Sequence, residues 1–398
     1  MNASSYQSGR HLLQLPGPTN TPLRVLEAIA RPTIDHRGPE FQRLMFDLLE
    51  RIRVPFKTAG PVIIFASSGT GAWEAAFVNT LSPGDHILMF ETGWFSTLWS
   101  RLAQKLGLIA EVLPGDWRTT VDADAIEARL RDDKAHALKA VCVVHNETST
   151  GVLSDIAAVR RALDRANHPA LLMVDGVSSI GVADYRHDEW CVDVAVSGSQ
   201  KGLMLPPGLS FNAVSEKAIA ASASARLPRA YWDWADVIEF NRQGFFPYTP
   251  ATNLLRGLRV ALDMLEEEEL DNVFARHRRA AAATRAAVEH WGLELQCADA
   301  NAHSPGLTAV RVPEGVSADA LRAEILKTSN VALGGGLGQI ADRVFRIGHM
   351  GDFSDAATFG TIACIEAAMR TLGVPHKPGG VQAAIEVATS FGANVESV

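Results

Sequence analysis

A lysine near the middle of the chain stands where covalent chemistry is possible. Lys201 lies in the segment SGSQKG, directly after a predicted buried strand, Val192 to Ser197. Burial lowers the pKa of an amine, so a lysine at the end of a core strand keeps a larger neutral, nucleophilic fraction. This pattern predicts Schiff-base chemistry with an aldehyde cofactor. A surface lysine in a loop is the alternative for Lys201 taken alone.

A carboxylate stands in a matching position 26 residues earlier. Asp175 closes the predicted strand Leu171 to Asp175 and leads into the segment GVSS. The carboxyl ends of the strands are where open α/β sheets bind ligands. A carboxylate fixed beside a pyridine nitrogen holds its proton and makes the ring an electron sink. The alternative for Asp175 is a helix N-cap.

The third segment is a turn suited to phosphate. The residues SSGTG, at 67–71, follow the predicted strand Val62 to Phe65 and open a predicted helix near Ala72. Glycine lets the backbone approach an anion, free N–H groups at a helix start favour negative charge, and Ser68 and Thr70 add hydroxyl donors. An ordinary helix start is the alternative. The turn lacks the lysine of a P-loop, which disfavours a nucleoside triphosphate.

These segments occur in the order phosphate turn, ring-nitrogen carboxylate, Schiff-base lysine, each at a strand end. With them the chain resembles the class V, fold-type I pyridoxal-phosphate aminotransferases, within them the serine–glyoxylate and alanine–glyoxylate group. The resemblance runs from PGPTN at 16–20 to RIGH at 346–349. Its most specific pieces are HNET at 145–148, VDGVSS at 174–179 and GSQKGLMLP at 198–206.

The resemblance implies a role for each matching residue around pyridoxal 5′-phosphate. Lys201 would bind the cofactor covalently, and Asp175 would pair with its pyridine nitrogen. Val177 would pack on one face of the ring and Phe95 on the other, with adjacent Trp94 as the alternative. The remaining implied contacts are to the phosphate, by Ser68, Gly69, Thr70 and Gln200, and to the phenolic oxygen, by Thr148.

The resemblance also implies a shared site and a substrate contact. Tyr248 and Thr249, in the segment FPYTP, resemble residues that reach the phosphate of a neighbouring subunit, which implies a homodimer. Arg346 matches the arginine that binds the substrate α-carboxylate. A planar guanidinium suits that task because it offers a carboxylate two parallel hydrogen bonds. A structural salt bridge is the alternative for Arg346.

The implied activity is amino-group transfer from a small L-amino acid, serine first and alanine next, to glyoxylate, giving glycine and a 2-oxo acid. Aspartate or ureidoglycine as donor on the same scaffold is the alternative. A cysteine desulfurase needs a nucleophilic cysteine on a mobile loop of its small domain, but no cysteine occurs between Cys297 and Cys364. A non-catalytic cofactor-binding domain is the remote alternative.

The elements that must position these residues follow from hydrophobic periodicity. Short apolar runs alternate with helical patterns, which predicts an α/β fold: a large domain with a mainly parallel sheet flanked by helices, and a smaller C-terminal α+β domain. The predicted strands of the large domain are 62–65, 86–90, 140–145, 171–175 and 192–197, with helices at 72–81, 97–106, 123–131 and 156–166. Beyond it we expect one long helix from about 254 to 291, strands at 307–312 and 344–347, and helices at 318–326 and from 354.

The predicted domain organisation has four parts. An N-terminal arm spans 1–20, the large domain 21–250, the small domain 251–375 and a C-terminal tail 376–398. The glycine-rich segment GGGLG at 334–338 lacks the GxGxxG spacing of a dinucleotide site. We interpret that segment as a flexible active-site loop.

Composition narrows the functional class. The 398 residues carry 37 basic and 45 acidic side chains, a net charge of −8, which disfavours nucleic acid as a partner. Four cysteines without a CxxC pair indicate a reducing compartment, and the histidines show no metal-ligand spacing, so no metal is expected. From the polar opening sequence we expect neither a signal peptide nor a spanning segment. We expect a cytoplasmic protein without membrane contact.

Overall fold

The computed structural model describes residues 9–391, which fold around two large β-sheets. Residues 1–8 of the predicted arm and 392–398 of the predicted tail lie outside the described residues. In chain order the strands are β1 (Leu12–Gln14), β2 (Val62–Phe65), β3 (His86–Phe90), β4 (Ile109–Leu113), β5 (Leu138–Val144), β6 (Asn146–Glu147), β7 (Val152–Leu153), β8 (Leu171–Asp175), β9 (Val194–Gly198), β10 (Ser210–Val214), β11 (Glu294–Leu295), β12 (Leu307–Arg311), β13 (Val331–Gly335) and β14 (Val344–Gly348). The α-helices are α1 (Leu23–Ile29), α2 (Pro39–Arg51), α3 (Arg53–Phe56), α4 (Gly69–Thr80), α5 (Trp94–Lys105), α6 (Ala123–Asp132), α7 (Ile156–Arg165), α8 (Glu216–Ser222), α9 (Trp234–Asn241), α10 (Thr252–Glu268), α11 (Leu270–Trp291), α12 (Ala318–Ser329), α13 (Asp355–Thr371) and α14 (Gly380–Ser390).

The larger sheet has seven strands in the order β2-β10-β9-β8-β5-β3-β4. Strand β10 runs antiparallel to β2 and β9, and the other pairs are parallel. The prediction of a mainly parallel sheet is therefore confirmed. Strands β8 and β9 are buried along their whole length, as expected for strands covered on both faces.

Helices cover both faces of this sheet because alternate residues of a strand point to opposite sides. On β2, Ile64 packs in one hydrophobic cluster with Val25 of α1. Its neighbour Ile63 packs in the other cluster with Trp73 of α4. Leu258 of α10 belongs to the first cluster, so this helix packs on the larger sheet although it follows the predicted domain junction.

The smaller sheet has five strands in the order β1-β13-β14-β12-β11. Its first strand, β1, comes from the predicted N-terminal arm and pairs in parallel with β13. The chain therefore enters the smaller sheet before it builds the larger one. Apolar residues of α11 to α14 pack against this sheet around Phe345, in a core of their own. The α+β character expected here is confirmed, while the division into domains at residue 250 stays a prediction.

The structure corrects three local expectations. The long helix expected up to residue 291 breaks at Glu269, whose φ of 66° leaves the helical region and separates α10 from α11. Residues Gly334 and Gly335, expected in a flexible loop, end strand β13 and pair with β14. In the larger sheet, strands β4 and β10 were not predicted, since β4 is a half-exposed edge strand and β10 buries a polar residue, Asn212.

None of the helices between residues 9 and 391 combines the length and the hydropathy that a transmembrane span requires.

Candidate active site

A cavity of about 130 Å³ lies at the carboxyl ends of strands β2, β5, β8 and β9. It is lined by Ser68, Gly69, Thr70, Trp73, Phe95, Asn146, Thr148, Asp175, Val177, Ser178, Gln200 and Lys201. All nine residues that the sequence suggested as cofactor contacts within one chain are among them. Arg346, Tyr248 and Thr249 are not.

Lys201 follows β9 by three residues and is buried, with 8% of its surface exposed. Its amine donates a hydrogen bond to the carbonyl of Pro16. Burial lowers the pKa of Lys201 to about 8, with the charge of Arg346 acting in the same direction and that of Asp175 opposing both. The surface-loop alternative for this lysine is therefore excluded, and its amine is neutral in part at physiological pH.

Asp175 ends β8 on the same edge of the sheet. Its Oδ1 accepts the N–H of Val177 at 2.8 Å, and its Oδ2 accepts the indole N–H of Trp73 at 3.1 Å. Burial raises the pKa of Asp175 to about 7 in spite of these bonds. A turn, not an α-helix, follows Asp175, so the helix N-cap alternative does not hold.

The predicted phosphate turn is the start of helix α4. The helix begins at Gly69, three residues before the predicted start, and its N-cap residue, Ser68, makes no side-chain capping bond. The first N–H groups of an α-helix have no intrahelical acceptor, so they stay available to an anion. A Cβ atom at position 69 would lie 2.8 Å from Cγ2 of Val177, which accounts for glycine there.

Phe95 and Thr148 line the cavity from neighbouring segments. Helix α5 begins at Trp94, so Phe95 lies in its first turn, earlier than the predicted start at 97. Trp94 does not line the cavity and instead lies 5.0 Å from the guanidinium of Arg101. Of the two aromatic candidates, Phe95 is thus the one at the cavity.

Arg346 lies in the middle of β14 and has 9% of its surface exposed. Its Nε donates to the carbonyl of Gly335 at 2.7 Å and its Nη1 to the carbonyl of Thr148 at 2.8 Å. No carboxylate within residues 9–391 forms an ion pair with it, so the salt-bridge alternative fails. Burial lowers the pKa of Arg346 to about 10, which leaves the guanidinium charged at neutral pH.

Tyr248 and Thr249 do not line the cavity of their own chain. The ring of Tyr248 stacks on Tyr231 with 4.5 Å between centroids, and Thr249 is exposed just before α10. Their expected contact with a partner subunit stays a prediction.

Three lining residues were missed by the sequence analysis. Trp73 lies one helical turn after Gly69 and bonds to Asp175, so its place on α4 was the only available signal. Asn146 and Ser178 bind each other reciprocally: the Asn146 amide donates to the Ser178 carbonyl at 2.8 Å, and the Ser178 hydroxyl donates to the Asn146 carbonyl at 2.7 Å. Both stand inside the motifs quoted above.

The acidic groups of the described residues meet the requirements of neither a second ligand site nor a metal site. A larger cavity, of about 430 Å³, lies between α1, α2 and α10, but its acidic groups are already paired, Glu40 with Arg256 and Asp47 with Arg259. No group of three or more potential metal ligands occurs in the part of the chain that the structure describes.

Known proteins resemble the chain over nearly its whole length. The sequence model of the aminotransferase class-V family matches residues 12–344. The serine–glyoxylate aminotransferase of Hyphomicrobium methylovorum is 50% identical over 378 residues, covering 94% of this chain and 93% of the relative. The L-aspartate–glyoxylate aminotransferase of Paracoccus denitrificans is 48% identical over 374 residues, 94% of each chain. The ureidoglycine–glyoxylate aminotransferase structure from Bacillus subtilis has a TM-score of 0.88 at 26% identity, covering 96% of this chain and 99% of that one.

Proposed function

The chain belongs to the class-V aminotransferase family, and on that premise we propose that it transfers the amino group of a small L-amino acid, serine first and alanine next, to glyoxylate. The products are glycine and the 2-oxo acid of the donor, hydroxypyruvate or pyruvate. We assign pyridoxal 5′-phosphate as cofactor, held in the cavity around Lys201. The observation that carries this proposal is that a buried amine, Lys201, and a buried carboxylate, Asp175, line one cavity at the start of α4.

The lining residues fit this cofactor. The start of α4, with the hydroxyls of Ser68 and Thr70, suits a phosphate group. Burial raises the pKa of Asp175, and a cationic ring nitrogen beside this carboxylate would favour its ionised form, so the two groups suit each other as partners. The lowered pKa of Lys201 suits an amine that attacks an aldehyde.

Each residue then has a defined task. When bound, pyridoxal phosphate supplies an aldehyde that carries the amino group and a protonated ring that delocalises the electron pair released at the donor's Cα. Asp175 holds the proton on the ring nitrogen. The Nζ of Lys201 takes the proton from Cα as general base and holds it as an ammonium group. Arg346 binds the α-carboxylate and so orients Cα toward Lys201.

The choice of donor is supported by the relatives. Serine–glyoxylate aminotransferase is the name of the relative at 50% identity, and glyoxylate is the acceptor in the name of each of the three compared proteins. Aspartate is the specific rival donor, because the relative at 48% identity carries that name. The candidate donors share the α-amino and α-carboxylate groups and differ only in the side chain, which ends in a hydroxyl in serine, a methyl in alanine and a carboxylate in aspartate. A few contacts to that side chain therefore decide which donor is preferred.

We also propose a homodimer whose two sites each receive Tyr248 and Thr249 from the other subunit. The exposure of Thr249 in the single chain supports this, since a residue that serves a partner must lie at the surface. A cytoplasmic location is supported by four free cysteines, Cys142, Cys191, Cys297 and Cys364.

The experiment supplies the purified protein with pyridoxal phosphate and glyoxylate, adds serine, alanine or aspartate in separate reactions, and quantifies glycine. We expect the highest kcat/KM with serine and the next with alanine. A higher value with aspartate would replace the proposed donor and keep the reaction. Absence of glycine with every donor would overturn the proposed function.

A pair of lysine variants tests the assignment of the site. Lys201→Ala should lose the visible absorbance of the bound cofactor and at least about a hundredfold in turnover, because it lacks the amine that moves the proton. Lys139→Ala, which removes an exposed lysine on β5, is the matched control and should behave as wild type. Normal turnover of Lys201→Ala would contradict the assignment.

A further inference from the structure

A buried carboxylate with no task in the proposed reaction lies beside the cavity. Glu147, on β6, has no exposed surface. Its Oε2 accepts the backbone N–H groups of Phe95 and Ser96, both at 3.2 Å. Its Oε1 accepts the N–H of Ser149 at 3.0 Å and the hydroxyl of Ser149 at 2.6 Å. All these contacts present a hydrogen to the carboxylate and so favour its ionised form, whereas burial raises the pKa of Glu147.

These bonds satisfy the start of helix α5, which has no N-cap side chain of its own. The N-cap residue is Gly93, so the first N–H groups of the helix need acceptors from elsewhere. The Ser149 hydroxyl accepts the N–H of Trp94 at 2.9 Å, while Glu147 accepts the next two. Strand β6 and the turn after it thus bind the first three N–H groups of α5.

The contact between helix and turn depends on glycine at position 93. A Cβ atom there would lie 2.5 Å from Cγ of Glu147 and 2.4 Å from Oγ of Ser149. A serine, threonine or aspartate N-cap at this position would therefore collide with the turn. The N–H groups at the start of α5 are therefore bound by a carboxylate more than 50 residues away in sequence, and not by a side chain at the N-cap position.

The same contact joins two residues of the cavity. Phe95 lines the cavity from the first turn of α5, and Thr148 lines it from the position after Glu147. The carbonyl of Thr148 also accepts Nη1 of Arg346 at 2.8 Å. A change at Glu147 therefore acts on the aromatic wall of the cavity through the hydrogen bonds to α5. It acts on Arg346 through Thr148 and through the carboxylate charge, which raises the pKa of Arg346.

We propose that Glu147 is a positioning residue: it binds the amide groups at the start of α5 and thereby fixes Phe95 against the pyridoxal phosphate ring. The identity of the ring rests on the proposed function, whereas the hold of Glu147 on α5 is independent of any ligand. Glu147 contacts no reacting atom. Its removal should loosen the first turn of α5 and weaken cofactor binding without unfolding the larger sheet.

The first test compares Glu147→Gln with Asp133→Asn. Glutamine keeps the size of the side chain but turns an NH₂ group toward backbone N–H donors. Asp133 is the matched control, since it is also a buried carboxylate that accepts two backbone N–H groups, those of Ala137 and Leu138, at the opposite end of β5. Hydrogen exchange is measured by mass spectrometry in protein without added cofactor. We expect exchange in residues 92–98 to be about tenfold faster in Glu147→Gln and unchanged in Asp133→Asn.

Wild-type exchange of residues 92–98 in Glu147→Gln would overturn the proposal. Ser149→Ala keeps the test valid if Glu147→Gln does not fold, because it removes only the acceptor of the Trp94 N–H and one donor to Glu147. It should also speed exchange in this segment, by a smaller factor. Full protection in that variant would contradict the proposal.

The second test asks whether Glu147 acts through Phe95. We expect Glu147→Gln to raise the Kd for pyridoxal phosphate roughly ten- to a hundredfold, as the loss of hydrogen bonds to a charged group implies. Phe95→Ala should raise it too, and the double variant should be no weaker than the weaker single variant. Additive losses would overturn the positioning role. A wild-type protein that binds no pyridoxal phosphate would overturn the proposed function instead, and the exchange measurement would still decide the hold on α5.

Discussion

Lys201 and Asp175 show pKa shifts of opposite sign for one physical reason. Burial penalises the charged form of each group, so the pKa of the lysine falls to about 8 and that of the aspartate rises to about 7. Both pKa values therefore lie near neutral pH, the range that suits the general base proposed at Lys201. The pKa values of both residues thus follow from their place at the ends of buried strands.

The first prediction concerns the pH dependence of cofactor capture. The neutral amine of Lys201 is the reactive form, and its fraction grows as the pH rises through the pKa. The rate at which cofactor-free protein captures pyridoxal phosphate should therefore increase with pH, with a midpoint of about 8, and level off above it. Stopped-flow absorbance measures that rate.

A matched variant tests the cause of this profile. The charge of Asp175 raises the pKa of Lys201, so Asp175→Asn should move the midpoint to lower pH. A capture rate that does not change between pH 6 and 10 would contradict the assignment of Lys201 as the reacting amine.

The second prediction concerns Arg346 and the substrate carboxylate. Arg346→Lys replaces a planar fork by a point charge, so the KM for the amino donor should rise roughly ten- to a hundredfold, about 1.4–2.8 kcal/mol. Arg311→Lys, on the neighbouring strand β12, is the control and should leave the KM unchanged. Steady-state kinetics with serine distinguish the two. An unchanged KM in Arg346→Lys would remove this residue from the substrate site.

At the scale of elements, the segment after β1 brings the smaller sheet against the lysine of the larger one. The carbonyl of Pro16 accepts the amine of Lys201. Gly17 has a φ of +93°, and a Cβ atom there would lie 2.3 Å from Cδ of Lys201. Gly348, at the end of β14, leaves room for the backbone of Leu15. A Cβ atom at position 348 would lie only 2.0 Å from the carbonyl oxygen of Leu15.

The third prediction follows from this close approach. Gly17→Ala should displace Lys201 and lower cofactor affinity and turnover at least about tenfold, because the added methyl group overlaps the lysine side chain. Gly315→Ala is the matched control, since its φ is +81° but nothing lies within 4 Å of the added atom. It should cost only the backbone strain, about 1 kcal/mol, and keep the activity. Equal activity of the two variants would exclude a role for the Gly17 contact.

At the scale of the whole molecule, the proposed active site draws on both sheets. Lys201 and Asp175 come from the edge of the larger sheet, and Arg346 comes from the smaller one. Helix α10 packs on the larger sheet and begins three residues after Thr249. This packing fixes the position of Thr249 on the surface. A partner subunit is the remaining proposed component.

The fourth prediction tests that shared site by mixing variants. Thr249→Glu places a negative charge where the partner's phosphate is proposed to bind, on a residue exposed in the single chain. Lys201→Ala and Thr249→Glu should each be inactive alone. After refolding together they should regain activity, because a mixed dimer combines an intact Lys201 from one subunit with an intact Thr249 from the other. No regain in samples shown to contain mixed dimers would place Thr249 outside the partner's site.

The sequence was sufficient to predict that the candidate residues at the strand ends lie together. Lys201, Asp175 and the turn at Ser68 each follow an apolar strand, and the carboxyl ends of parallel strands meet at one edge of a sheet. Their common cavity could therefore be predicted without knowing the order of the strands. The mainly parallel sheet was predicted from the hydrophobic pattern, because continuous apolar runs separated by amphipathic helices are typical of βαβ units.

Other features were decided only by the tertiary structure. Strand β1 pairs with β13 more than 300 residues away, and Glu147 accepts N–H groups from the distant start of α5. Neither contact has a local sequence signal, because the partner of a backbone group depends on which segments pack together. Strand β10 was missed for a similar reason. The side-chain amide of Asn212 donates to the carbonyl of Ala72, and this long-range bond makes a polar residue acceptable in a buried strand. Local residue types determine what chemistry is possible, and long-range packing determines which groups position the residues of the site.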